Sequence, residues 1–344
     1  MDLISMLKPH TFAMSAGNWG SLLFYFIVYS IGFALGGFGG MYSECSGIIN
    51  IALEGSMVIG AFFGLFINLA FSSMDPLPAF LQTRGGAECI ILLGCLVAIV
   101  AGVAFSFFLT FVSNKLKADQ TIVGTAMNTL ATAICAIIYT YYTMKDSLEV
   151  PNNVFINQLT FKTDNPFLLQ FTTNMNSSLI VGVLAIAILW FIMDKTRFGL
   201  RLRACGENPA AADSVGINVT RMRYIGPAIG SAAAALGGYI IFCCSITNKW
   251  TITALGYGFL VLALEILGNW HATSIFFAAL LFGFFTSFSN VYPSSFAGGT
   301  SNLFNIRSTY AMLPYLLAFV ILLFFSKHSH APKSEGIPYD KSSR

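Results

Sequence analysis

Residues 89–113 read CIILLGCLVAIVAGVAFSFFLTFVS, a run without a single Asp, Glu, Lys or Arg between Glu88 and Lys115. A helix rises 1.5 Å per residue, so about 20 apolar residues cross a hydrocarbon core about 30 Å thick. This run is long enough. The same gap in charge recurs between Lys8 and Glu44, Glu54 and Asp75, Gln120 and Lys145, and Asp164 and Asp194. It recurs again between Arg223 and Lys249, Glu265 and Arg307, and Arg307 and Lys327. Of 344 residues, 56% are hydrophobic and 10% charged, with mean hydropathy +0.73. An ordinary soluble domain carries about 25% charged residues, so lipid is the solvent this surface requires.

The pattern predicts one transmembrane domain over 1–344: an all-α, polytopic helix bundle of about nine spans, with eight to ten as the range. Helices are expected near 22–41, 48–70, 89–113, 121–143, 178–193, 224–247, 252–268, 273–291 and 309–326. Lys and Arg collect in 195–223 (Lys195, Arg197, Arg201, Arg203, Arg221, Arg223), in 114–120 (Lys115, Lys117) and in the tail 327–344 (Lys327, Lys333, Lys341, Arg344). Alternating spans put these three on one side, which the positive-inside rule makes the cytoplasm. The stretches 71–88, 144–177 and 292–308 then fall outside, with the N-terminus. The first 21 residues lack the basic start and cleavage pattern of a signal peptide. The seven cysteines have neither CxxC nor His/Cys metal spacing, so neither zinc nor a disulfide framework is expected. The 33 Phe and 13 Tyr fit lipid contact and packing.

Three constellations carry functional content. In 207–216, Asn208 suits an N-cap and Pro209 the first helical position, Ala210 to Ala212 favour helix, and Gly216 suits a left-handed stop. A two-turn helix at 209–215 follows, standing in a basic loop where a soluble partner could grip it, or merely joining two spans. The second is Glu44-Cys45-Ser46-Gly47-Ile48-Ile49-Asn50-Ile51-Ala52-Leu53-Glu54-Gly55. If helical, Ser46, Asn50 and Glu54 share a face, as a polar stripe beside a permeation path or as an interhelical clamp. Gly36, Gly37, Gly39 and Gly40 just before it, with helix-breaking Gly47 within it, permit either a broken, re-entrant helix over 36–47 or close helix packing. The third is the pair of isolated polar groups Asn128 and Glu265 inside apolar runs. Ile51-Ala52-Leu53-Glu54 also echoes Leu262-Ala263-Leu264-Glu265, a faint sign of an internal repeat. No GxxxxGK[ST] phosphate loop is present, so an ATPase driving transport must be another chain. No nucleophile–base pair suggests enzymatic chemistry.

These segments together resemble the membrane permeases of bacterial ABC importers in the branched-chain amino acid, ribose and nucleoside group. Glu44 to Gly55 looks like the family's E-R-S-G-x-x-N-[IL]-x-x-E-G signature. Lys117-Ala118-Asp119-Gln120-Thr121-Ile122-Val123, with Asn128 after it, looks like the K-A-x-x-[ET]-x-[IV] turn. Thr196 to Ala212, continuing through Gly216-Ile217-Asn218, looks like the cytoplasmic coupling segment, and Gly256-Tyr257-Gly258-Phe259 before Leu267-Gly268 like the glycine-bounded helix near the end. The resemblance implies a type II-like importer permease without its own cofactor, ATP and magnesium being held by a cytoplasmic ATP-binding subunit. It implies a second permease subunit, expected to be a different chain, and an extracytoplasmic solute-binding lipoprotein. Membrane lipid is the remaining partner, and none is expected among nucleic acids. Glu207, Asn208, Pro209, Ala211, Ala212 and Gly216 would engage the ATPase, and Glu44, Ser46, Asn50, Glu54, Asn128 and Glu265 would border the path. The motif form points to nucleosides. The alternatives are a ribose- or galactose-type permease and an ion-coupled secondary transporter using Glu54 and Glu265. Three positions depart from the pattern: Cys45 replaces the usual Arg, Glu265 stands at a mostly apolar position, and His271-Ala272 lacks a proline.

Overall fold

The computed structural model describes residues 16–72, 83–144, 148–149, 165–172, 175–245, 249–292, 310–325 and 329–339. Most of the expected outer stretches, and Lys327, Lys341 and Arg344 of the tail, lie outside the described residues. The first spans are α1 (Ala16–Glu44), α2 (Leu53–Ser72), α3 (Arg84–Lys115) and α4 (Gln120–Thr143). After the two-residue strand β1 (Leu148–Glu149) come α5 (Pro166–Thr172), α6 (Ser177–Lys195), α7 (Arg197–Glu207), α8 (Pro209–Ser214) and α9 (Val219–Ser245). Strand β2 (Lys249–Trp250), α10 (Tyr257–Gly268), α11 (Ala272–Val291) and α12 (Leu313–Phe325) complete the order. β1 and β2 pair antiparallel, Leu148 opposite Trp250.

Seven of these helices (α1, α2, α3, α4, α6, α9 and α11) are long and apolar enough to cross a membrane, and α10 and α12 are shorter apolar helices. Each of the nine expected spans therefore has its helix among the described residues. The bundle is built around α1 and α9. Every residue of α1 from Val28 to Glu44, and of α9 from Ala233 to Cys244, is buried. These two pack on each other, α2 and α3 pack against α9, and α11 packs against α1. By contrast α4 and α6 keep most of their surface outward.

Without a hydrophobic drive between helices in lipid, close backbone contact must supply the attraction. The α1–α9 seam does this with glycines seven residues apart on antiparallel helices. A Cβ on Gly39 would sit 2.4 Å from the Gly230 carbonyl oxygen, and one on Gly230 2.2 Å from that of Gly39. One level away, a Cβ on Gly237 would sit 2.6 Å from the Gly32 carbonyl oxygen. The glycines of 36–40 are thus packing positions inside an unbroken helix: Gly36 meets Val261, Gly37 meets Ile275 and Gly40 meets Glu265.

The break falls later than those glycines. Residues 45–52 are not helical, Gly47 has φ +90°, and α2 begins at Leu53 rather than 48. Likewise α10 begins at Tyr257 rather than 252, because Ile252, Leu255 and Gly256 all take positive φ. In the other direction α9 starts at Val219, five residues before the expected 224, and draws Arg223 into the bundle at 1% exposure. Arg223 was expected as a loop charge. The sequence echo also dissolves, since Glu54 lies in the first turn of α2 and Glu265 in the last turn of α10.

The α1–α9 seam gives a direct test. Gly39→Val or Gly230→Val is expected to lose stability at or beyond the about 1–3 kcal/mol of ordinary overpacking, because the opposing atoms are backbone. Thermal unfolding in detergent should show it, while Gly85→Ala, with nothing within 4 Å, stays near wild type.

Candidate functional site

Buried backbone that is not helical must find its hydrogen bonds elsewhere, and in lipid this is compulsory. The 45–52 break is satisfied in its first half by backbone turns, the Cys45, Ser46 and Gly47 N–H groups donating to the Met41, Ser43 and Glu44 carbonyls, and in its second half by side chains. The Ile48 N–H donates back to the Ser43 carbonyl (3.3 Å), and the Ile49 N–H to Gln120 Oε1 (2.7 Å). Asn128 spans the entry to α2: its Nδ2 donates to the Ile51 carbonyl (2.9 Å), and its Oδ1 accepts from the Gly55 N–H (2.7 Å). Ser46 Oγ donates to the Ser43 carbonyl (2.6 Å), and Asn50 Nδ2 reaches Ser43 Oγ (3.1 Å) and Ser231 Oγ (3.4 Å). Ser46 and Asn50 are fully buried. Because 46–52 is not helix, Ser46, Asn50 and Glu54 form no continuous helical stripe; each stabilises a different part of the break.

Glu54 holds the second break against the first. Its Oε1 accepts from the Gly256 N–H (2.8 Å) and its Oε2 from the Gly258 N–H (2.6 Å), at the N-terminus of α10. The first N–H groups of a helix have no internal partner and carry partial positive charge, so a carboxylate there completes α10. Close approach requires Gly258, whose Cβ would meet the Glu54 Cα at 2.4 Å.

Glu44 and Glu265 meet at the far end of α10. Glu44 Oε2 accepts from the Trp270 indole, which the left-handed residues Asn269 (φ +49°) and Trp270 (φ +54°) swing toward α1. Glu265 fills the space over Gly40, one turn before Glu44, and faces the Glu44 carboxyl. Apart from the Glu44 carboxyl, neither oxygen of Glu265 finds a partner among the described residues. A third carboxyl, Glu335, comes from the segment after α12; burial, and then the Glu44 charge, push it up to about 8. Thus all six residues expected along the path are accounted for, five of them buried and Asn128 partly so. They form three local groups inside the chain.

The short helix α8 forms as its caps require, ending one residue before the expected 215. Asn208 Oδ1 accepts from the Ala211 N–H (3.1 Å), Pro209 opens the helix, and Gly216 (φ +84°) closes it, the Ile217 N–H donating to the Ala212 carbonyl (3.1 Å). Nothing lies within 4 Å of a Cβ on Gly216, so conformation, not space, requires glycine there. Glu207, Asn208, Ala211 and Gly216 are exposed and Pro209 is half-buried, but Ala212 is buried at 4% and anchors the helix from beneath. A hollow of about 440 Å³ with Phe198, Arg201 and Arg221 in its wall, and one of about 800 Å³ with Asp213, Tyr224 and Tyr339, open beside the end of α8.

The helix α7, which sequence did not anticipate, carries α8 onto the first break. A Cβ on Gly206 would sit 2.5 Å from the Cys45 carbonyl oxygen, and Arg223 Nη2 lies 2.9 Å from a Cβ placed on Gly47. The basic segments 114–120 and 195–223, with Lys333 of the tail, gather at this one end: Gln120 touches Ile49, Gly206 touches Cys45, and Ser334 bonds to Gly206. Gln120, Arg223, Trp270 and Ser334 were missed as site residues. Gln120 sits in the Lys117–Val123 motif, which was a usable signal. The other three are joined to the break only by tertiary contact.

Helix breaks that meet inside an apolar bundle, with the end of α7 seated on one of them, fit a transport protein. The chain matches, over residues 22–325, the family described as the branched-chain amino acid transport system permease component. It is 36% identical over 323 residues to the guanosine ABC transporter permease protein NupQ of Bacillus subtilis, covering 92% of this chain and 96% of that one. It is 32% identical over 324 residues to the nucleoside ABC transporter permease protein NupC of Lactococcus lactis, covering 92% and 95%. The guanosine ABC transporter permease protein NupP of Bacillus subtilis is 26% identical over 270 residues, covering 73% and 68%. The chain belongs to this permease family. It is a multi-pass membrane protein and a permease component of an ABC importer.

Two measurements test the site's electrostatics. Glu54→Gln leaves one acceptor oxygen for two N–H groups and is expected to cost about 1.5–3 kcal/mol, lowering folded abundance and transport together. Loss of transport at normal abundance would instead put Glu54 on the path. For Glu335, the docked carboxyl titrates above its ordinary 4.5, so the docked segment holds the extra proton. Docking should weaken as pH rises from about 4.5 to about 8. The groups facing it are Glu44, Cys45 and, on α10, Glu265. Amide exchange of 333–337, corrected for intrinsic rate, should follow that trend, and Glu335→Gln should flatten it.

Proposed function

We propose that the chain is one of two different permease subunits of an importer that passes nucleosides across the cytoplasmic membrane. A separate cytoplasmic ATP-binding subunit grips α8, and an extracytoplasmic binding lipoprotein delivers the solute. The chain binds no ATP, magnesium or other cofactor itself and catalyses no reaction. The observation that carries this reading is the seating of α7 and α8 on the 45–52 break: Gly206 rests on Cys45, and that break is tied through Glu54 to α10. A push on α8 therefore has a short rigid route to two spans. The exposed face of Glu207, Asn208, Pro209, Ala211 and Gly216 supports a docking role. The C-terminal segment lies at the same end, so the cytoplasm is its compartment too.

Nucleosides are favoured as substrate because NupQ and NupC, both above 30% identity, are a guanosine and a nucleoside permease. A partner of different sequence is favoured because two distinct guanosine permeases, NupQ and NupP, come from one organism. A ribose- or galactose-type permease would share the coupling geometry and differ in solute. An ion-coupled mechanism would need Glu54 free to exchange its ion, whereas both its oxygens are committed to α10.

Gly216→Pro forces φ near −65° where +84° is required, and Glu207→Lys reverses a charge on the docking face. Each is expected to leave the chain inserted and ATP hydrolysis running while uptake falls by about tenfold or more, about 1.4 kcal/mol of lost coupling. Normal uptake by assembled transporter carrying either change would remove α8 from the coupling role. Radiolabelled guanosine uptake, competed by unlabelled nucleosides but not by free ribose or galactose, is the expected substrate result.

A further inference from the structure

The segment after α12 was expected as a basic tail. Residues 329–339 are instead hydrogen-bonded to three separate parts of the bundle and rest on a fourth. Ser329 Oγ donates to the Ile266 carbonyl (3.2 Å), and the His330 N–H donates to Asn269 Oδ1 (2.7 Å), fastening one end at the α10–α11 turn. Pro332 is buried, and a turn follows in which the Glu335 N–H donates to the Pro332 carbonyl (3.0 Å) and Gly336 takes φ +75°. That turn rests on the first break: a Cβ on Gly336 would lie 2.8 Å from Ile49 Cδ1.

The middle of the segment grips the coupling region. The Ser334 N–H donates to the Gly206 carbonyl (2.8 Å), and Ser334 Oγ donates to the Glu207 carbonyl (3.2 Å). These are the last two carbonyls of α7, of the kind a helix end leaves without partners. Ser334 therefore caps α7 at the point where α8 begins. The far end is held from α9, where buried Arg223 donates Nη1 to the Ile337 carbonyl (2.7 Å), with the Tyr339 ring 5.8 Å from its guanidinium carbon. A buried cation spent on a backbone carbonyl is a costly way to hold a passive tail.

We propose that residues 329–339 form a strap that positions the α7–α8 coupling segment on the 45–52 break, so that coupling efficiency depends on Ser334 as well as on α8. The proposal rests on the docking role of α8 given above. Ser334 and Arg223 are positioning residues: Ser334 meets the docking face only at the backbone carbonyl of Glu207, and Arg223 acts through the Ile337 carbonyl of the strap. When α8 is pushed, the strap keeps Gly206 pressed on Cys45, so the motion passes into the break and is not lost in a local swing of α7.

The test uses the complete transporter in liposomes: both permeases, the ATPase and the binding lipoprotein, with radiolabelled guanosine. Ser334→Pro removes both the N–H and the hydroxyl from α7. It is expected to keep ATP hydrolysis within about twofold and to lower guanosine taken up per ATP by about fivefold, within the range over which single positions modulate coupling. Ser334→Ala removes only the hydroxyl and should give a smaller drop in the same ratio. Should Ser334→Pro fail to assemble, Ser334→Ala decides the matter. Lys333→Ala, at an exposed neighbour, should leave the ratio unchanged. An unchanged ratio in the assembled serine variant, while Gly216→Pro uncouples, overturns the strap and leaves the docking role standing. If Gly216→Pro also couples normally, the docking role itself has failed.

Discussion

Lipid offers no hydrogen bonds, and most of this structure can be derived from that fact and from one place where the backbone is not helical. Between Glu44 and Leu53 the chain turns inside the bundle, and several peptide groups lose their helical partners. Each unpaired group would cost several kcal/mol in hydrocarbon. Backbone turns onto Met41, Ser43 and Glu44 pair the first of them, Gln120 and Asn128, on α4, supply the bonds of Ile49 and Ile51, and Asn50 reaches Ser231 on α9. These partners lie far apart in sequence, so satisfying one short break fixes the positions of α1, α2, α4 and α9 relative to each other.

The second break, before α10, is handled by a single charged group. Glu54 serves the N-terminal N–H groups of α10, and the helix in turn gives the carboxylate a place at depth that it could not otherwise occupy. Neither is stable in that position alone. Since the glycine seam also holds α1 and α9 at backbone contact, the two breaks move only if the bundle moves with them. A permease needs this property, because force applied at one end must reach spans that are otherwise slippery apolar rods.

Much of this was legible in sequence where the cause is local. The charge-free runs located nine helices, and the Asn208-Pro209 start and Gly216 stop of α8 were readable because caps act over a few residues. The failures share one physical origin. Gly36 to Gly40 and Gly47 left a break and close packing equally open, because glycine lowers the cost of both, and only the neighbours (Val261, Ile275, Gly230 and Glu265) make the first four packing positions and leave the break at Gly47. The late start of α10, the burial of Arg223 and the docking of 329–339 are all made by partners distant in the chain. Periodicity and composition do not register such partners.

The departures from the family pattern, dispersed in sequence, gather in space. Cys45 follows Glu44 directly, Glu265 faces Glu44 across Gly40, and His271 follows the Trp270 whose indole serves Glu44. Where the pattern has an arginine, this chain has a small thiol, and the same pocket holds Glu44 and Glu265 with Glu335 reaching in from the strap. Arg223 does not compensate, since its one bonded nitrogen is turned to the Ile337 carbonyl. Carboxyls brought together without a cation resist burial, so the contact between strap, first break and α10–α11 turn carries an electrostatic load that an arginine at position 45 would relieve. That contact lies directly under α7. The three departures therefore gather at the contact on which α7 and the 329–339 segment are seated.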